Sequence, residues 1–144
     1  MDFVFGDSWL RMTVISVTLA GLVFTWTNER KSVERANRLH RTGDLPQASA
    51  VYRNRIDSDS LRLDLRYNLG TSLLELGSAR AEEELTRGVE SNDDQVTKLA
   101  LYNLGVSRLL RAVSAENVDS MIIHARASVQ ANRNTLRLSP DQTD

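Results

Sequence analysis

This sequence predicts an all-α chain: an N-terminal transmembrane helix, then a short solenoid of about three helix–turn–helix units repeating at about 34 residues. Three observations carry that prediction. Only two prolines interrupt 144 residues in which leucine, arginine and alanine are common, so helix is favoured nearly everywhere. The tetrapeptide Tyr-Asn-Leu-Gly stands at Tyr67 and again at Tyr102, 35 residues on. The stretch from Trp9 to Trp26 carries one charge, Arg11. The expected organisation is a tail and anchor over 1–28, a repeat domain over 29–140 and a polar tail over 141–144.

As a helix, Trp9–Trp26 reaches about 27 Å, close to the roughly 30 Å of a bilayer's hydrocarbon core. Trp9 and Trp26 mark its two ends, where indole rings favour the membrane interface. Arg11, one turn inside, can extend its head group outward. A buried core helix fits poorly, because no polar stripe runs between Met12 and Trp26. A cleaved signal fits poorly too. The nearest small-x-small site, Thr18-Leu19-Ala20, lies inside the run and would leave an apolar end. The expectation is an uncleaved single-pass anchor. The basic residues Arg30, Lys31, Arg35, Arg38 and Arg41 follow it, which by the positive-inside rule puts the repeats in the cytoplasm. The same basic run, alternating with Glu29 and Glu34, reads as a solvated face or as a contact for anionic lipid headgroups.

The first unit's leading helix is expected to end near Arg41. Gly43 supplies the positive φ of the turn, and Asp44 caps the next helix with Gln47 as its reciprocal partner. Pro46 falls in the first turn, where a missing N–H costs little. The second unit reads Arg66–Gly77 and then Ala79–Val89, with Gly77 as the turn. Glu82, Glu83 and Glu84 favour the positive end of its second helix. Ser91–Asp94 is loop and cap chemistry before a third unit that begins near Gln95. There the turn is longer, through Ala112–Ser120, and a last helix runs to about Leu138 before Pro140.

Glycine in mid-helix costs about 1 kcal/mol against alanine. Gly70 and Gly105 both sit mid-helix after Asn-Leu, as expected where another helix crosses too closely for a Cβ. Ala48, Ala81 and Gly88 are the small residues expected opposite.

Chemistry-bearing patterns are absent. Zero cysteines exclude disulfides, thiolate metal sites and a cysteine nucleophile, and leave the compartment open. No phosphate-binding glycine loop, H-E-x-x-H or G-x-S-x-G occurs, and His40 and His124 belong to no metal-spaced cluster. A net charge of −1 gives no reason to expect nucleic acid. The reading is a non-enzymatic protein with no cofactor.

These residues resemble the tetratricopeptide repeat, a helix–turn–helix unit with W-x₂-L-G-x₂-Y in its first helix and A-x₃-F in its second. Arg66, Leu69, Gly70 and Leu73 fall on the first pattern, and Ala81 and Leu85 on the second. Leu101, Leu104 and Gly105 match in the third unit, with Arg108 in place of the aromatic. Ala36, Leu39, Ala48 and Tyr52 match in the first, with Arg35 in place of the leucine. The resemblance covers Ser32 to Pro140. It implies a concave partner-binding face carrying Asn37, Asn68 and Asn103, with Tyr67 and Tyr102 beside them. Asparagine can donate to and accept from an extended peptide backbone. Val33 and Leu99 stand where a carboxylate clamp would place cations, so that specialisation is not expected. Hydrogen bonding between repeats is the alternative role for the asparagines.

With its anchor and its "RYNLG" and "LYNLG", the chain is also similar to repeat proteins encoded beside MoxR-type ATPases and von Willebrand factor A proteins. These include the Bacteroides-aerotolerance group and the MxaK-like proteins. That similarity implies a bacterial inner-membrane accessory protein working in complex assembly. It implies repeats in the periplasm, against the charge count, and a von Willebrand factor A-domain protein or a MoxR-type system as partner. Val129, Leu136 and Leu138 are expected at an uncovered C-terminal edge, where another chain, a second copy or further sequence would pack.

Overall fold

The computed structural model describes residue 27 and residues 29–138, and among them the secondary structure is entirely helical. Six helices follow one another: α1 (residues 29–41), α2 (Leu45–Ser58), α3 (Leu63–Glu75), α4 (Ala81–Gly88), α5 (Asp94–Val113) and α6 (Val118–Arg137). The predicted anchor, with Trp9 and Trp26, lies outside the described residues, as do Pro140 and the tail. Among the described residues no helix is long and apolar enough to cross a membrane.

Two turns are built alike. Gly43 and Gly77 have φ of +80° and +68°, a region an L side chain rarely adopts. Gly43 N donates to His40 O and Asp44 N to Leu39 O; Gly77 N donates to Leu74 O and Ser78 N to Leu73 O. This paired pattern satisfies carbonyls that the helix end leaves free. Asp44 then caps α2, accepting from Gln47 N at 3.3 Å. Gln47 Nε2 donates to the Asp44 carboxylate at 2.7 Å, and no reciprocal bond reaches Gln47 from the cap's backbone N–H, because that N–H donates to Leu39 O.

Two boundaries differ from the sequence reading. α3 starts at Leu63, three residues before Arg66, with no side-chain cap at Arg62 to announce it. The connection after α5 is short, because α5 continues to Val113 and Asn117 caps α6 by accepting from Ser120 N at 2.8 Å.

Helices pack as successive hairpins. α3 packs on α4 and α5 on α6; α2 also meets α3, α4 meets α5, and α3 touches α5. One core runs through them, from Ala36 and Ala48 through Tyr52, Leu65, Leu69 and Leu85 to Leu104. Ala48, Leu65, Ala81 and Leu85 are fully buried.

The close crossings lie at glycines. A Cβ on Gly70 would stand 2.7 Å from Leu85 Cγ and 3.0 Å from Leu85 N in α4. A Cβ on Gly88 would stand 3.2 Å from the Tyr67 backbone in α3. At Gly105 the neighbour is the Asn132 side chain of α6. That crossing also lets Ser128 Oγ donate to Gly105 O at 2.8 Å.

The three adjacent glutamates all lie in the first turn of α4, and each has its own partner. Side chains 100° apart around a helix axis point at different neighbours. Glu82 binds Arg108 and Arg111 of α5 at 2.9 and 2.7 Å. Glu83 pairs within its helix with Arg87 at 3.0 Å. Glu84 forms a buried pair with Arg66 of α3 at 2.9 Å. The helix-dipole reading accounted for their position and missed these pairings. Arg66 occupies the place of the repeat motif's first aromatic, and its charge is accommodated because Glu84 is buried with it.

Candidate partner-binding groove

α1 and α3 enclose an open hollow of about 260 Å³ lined by Asn37, His40, Arg41, Tyr67, Asn68 and Thr71, with Tyr52 of α2 at its base. Helical periodicity places Asn37, His40 and Arg41 on one side of α1, and Tyr67, Asn68 and Thr71 on one side of α3. The Gly43 turn sets the α1–α2 angle that brings Tyr52 under them.

Tyr52 is buried, and burial pushes its phenol up to about 12 against a smaller opposing effect of Arg41. It therefore stays neutral and donates to Asn37 Oδ1 at 2.7 Å. That bond fixes the Asn37 carboxamide with its NH₂ left to donate elsewhere. Across the hollow, Asn68's side chain has no hydrogen-bond partner among the described residues. Thr71 Oγ1 donates to Tyr67 O at 2.9 Å and accepts from Asn103 Nδ2 at 2.9 Å. His40 Nε2 lies 3.4 Å from Glu75 Oε1, close enough for an ion pair when the ring is protonated, and makes no hydrogen bond. That buried ring nitrogen is left without a hydrogen-bond partner.

The hollow can therefore present amide donors and acceptors, an aromatic face at Tyr67 and one cation at Arg41. Those groups suit the backbone of an extended segment or a polar side chain. Among the described residues no cluster of three histidines, aspartates or glutamates has metal-binding geometry.

Of the five residues read from the sequence as groove residues, Asn37, Tyr67 and Asn68 line this hollow together. Asn103 does not; its amide ties α5 to α3 through Thr71. Tyr102 stands on α5 with 57% of its surface exposed, outside the hollow. Asn37 is not the counterpart of Asn68. It lies 34 residues before Thr71, whereas Asn68 lies 35 before Asn103. Stepping by the repeat length from Asn37 would have nominated Thr71. His40 and Arg41 carried no such signal, because their places in the hollow depend on how α1 sits against α3. Tyr52 was legible only as the aromatic of the second helix; its hydroxyl's reach to Asn37 is tertiary.

No family model matches the chain, and no curated protein and no solved structure matches it.

Proposed function

We propose that the chain is a membrane-anchored, tetratricopeptide-like protein-interaction module, a scaffold or assembly adapter with no catalytic step. Residues 9–26 hold it in a bacterial inner membrane, and the α1–α3 hollow receives a segment of a partner protein. The supporting observation is the pair of carboxamides across that hollow. Asn37 is oriented by Tyr52 with donors to spare, and Asn68 is unpartnered. Asn37, held by Tyr52, is preorganised for recognition because its ordering cost is met before the partner arrives, and Asn68 offers a full set of amide donors and acceptors beside it. The partner class drawn from the resemblance is a von Willebrand factor A-domain membrane protein or a MoxR-type system, with anionic lipid at the basic outer side of α1.

Co-purification of the full chain from native membranes, read by mass spectrometry, identifies the partner. Asn68→Ala is expected to lower its recovery without moving the melting temperature. Full recovery with Asn68→Ala would remove the hollow as the binding site.

A second reading is a constitutive subunit of a larger membrane assembly, its anchor helix packed against other subunits. The exposed apolar side chains Leu109, Val113, Ile122 and Val129 on α5 and α6 favour it. A partner that resists removal by salt and leaves the chain unstable when withdrawn would mark this second role.

A further inference from the structure

α4 and α6 occupy equivalent places in successive hairpins. Gly70 abuts Leu85 of α4, and its counterpart Gly105 abuts Asn132 of α6. Leu85 therefore corresponds to Asn132. Three residues earlier Glu82 corresponds to Val129, and four residues later Val89 corresponds to Leu136. The buried positions agree, with Ala81 and Glu84 matching Ser128 and Ala131. On α4 these two positions meet the next helix. Glu82 binds Arg108 and Arg111, and Val89 O accepts from Thr97 Oγ1 at 3.3 Å. On α6 nothing among the described residues covers them, and Val129 and Leu136 are 51% and 70% exposed. This side of α6 occupies the place of a helix-docking face.

The residues there keep coiled-coil spacing, and all but Asn132 are apolar. Val118, Ile122, Ala125, Val129, Asn132 and Leu136 alternate steps of four and three, the pattern of a helix–helix seam. α5 carries a second such stripe in Leu99, Tyr102, Val106, Leu109 and Val113, of which only Val106 is not exposed. The hairpin is antiparallel. Stepping in one rotational sense from the shared Gly105–Asn132 contact carries both stripes to the same side. Two helices with adjoining apolar stripes are half of a four-helix bundle.

We propose that a second copy of this chain covers that face, the α5–α6 hairpins of two copies packing as an antiparallel four-helix bundle. The charges on α6 select this occupant. When α6 is laid antiparallel on its twin, Val118 meets Leu136 of the twin helix, Ile122 meets Asn132, and Ala125 meets Val129. In that register Asp119 lies diagonally across from Arg133 of the twin helix at both ends, and these two opposite-charge pairs outnumber the single like-charge pair that Arg126 makes with its own copy near the twofold axis. Asp119, Arg126 and Arg133 are exposed and have no partner among the described residues. Exposed pairs of this kind add little energy and act by fixing register. Such an interface is isologous, as closed twofold dimers require. It leaves the α1–α3 hollow free, so it stands apart from the groove proposal.

The absence of cysteine makes a direct test simple. In the full chain, held in its native membrane, Arg126→Cys is expected to give a disulfide-linked dimer on mild copper–phenanthroline oxidation. Asn54→Cys, on exposed α2, is the control and is expected not to. Mixed populations carrying Asp119→Cys and Arg133→Cys are expected to cross-link to each other. In the Arg126→Cys background, Val129→Glu should slow cross-linking by about tenfold or more, equivalent to about 1.4 kcal/mol. Asp119→Arg should slow it as well, and adding Arg133→Asp should restore it, which a merely unfolded variant would not do. The proposal is overturned if Arg126→Cys stays monomeric, if Asn54→Cys links equally well, or if the charge swap fails to restore linking. It is equally overturned if Arg126→Cys links only to a different protein.

Discussion

Replacing Gly70 by alanine should destabilise the chain and replacing Gly105 by alanine should not, although both glycines close the same Asn-Leu-Gly. Helix propensity alone favours alanine by about 1 kcal/mol at each. At Gly70 the added methyl meets Leu85 Cγ at 2.7 Å, Leu85 Cδ2 at 2.9 Å and Leu85 N at 3.0 Å. Leu85 is fully buried, so its side chain has nowhere to swing, and its backbone is held in α4. Overpacking of this kind costs about 1–3 kcal/mol, and the backbone contact puts this site in the upper part of that range. The net expectation for Gly70→Ala is a loss of about 1–2 kcal/mol after the propensity gain. At Gly105 the methyl meets only the end of Asn132, an exposed and flexible amide. That amide can rotate away, leaving Gly105→Ala neutral or stabilised by up to about 1 kcal/mol. Urea unfolding followed by far-ultraviolet circular dichroism measures both. A double-mutant cycle supplies the control: Gly70→Ala with Leu85→Ala should be more stable than the sum of the two singles. Equal effects at Gly70 and Gly105, or a stabilised Gly70→Ala, would refute the argument from close crossing.

Arg66→Ala strands Glu84 in a buried site and should cost about 3–5 kcal/mol, whereas Arg66→Met with Glu84→Leu should recover most of that in the same unfolding assay. Asn103→Ala removes the bond to Thr71 and should cost about 0.5–1.5 kcal/mol of stability while leaving partner recovery intact, the reverse of Asn68→Ala. Partial burial pushes the Glu82 carboxyl up, but hydrogen bonds from Arg108 and Arg111 outweigh it and hold the group below its usual 4.5. The unfolded chain then binds the proton first. Glu82's contribution is full above that usual value and is lost as pH falls through the lower folded one. Melting curves across that acid range should fall more steeply for the natural chain than for Glu82→Gln.

Local stereochemistry was written in the sequence. Gly43 and Gly77 had to be turns because each ends a helical run and can take positive φ, and Asp44 and Asp93 cap because each precedes one. A glycine inside a helix, as at Gly70, was legible as a residue needing a reason, since propensity opposes it. These signals depend on a few neighbouring residues and the covalent chain alone. What the sequence could not supply were partners at long range. Three consecutive glutamates read as one acidic helix start, yet they diverge to α5, to their own helix and to buried Arg66, because direction around a helix matters only once neighbours are placed. Two identical Tyr-Asn-Leu-Gly strings also part company. Tyr67 and Asn68 look into a hollow closed by α1, while Asn103 is spent on Thr71 and Tyr102 stands open on α5. Repetition determined what each helix offers; position in the stack decided whether a neighbouring helix, a hollow or open solvent faces it.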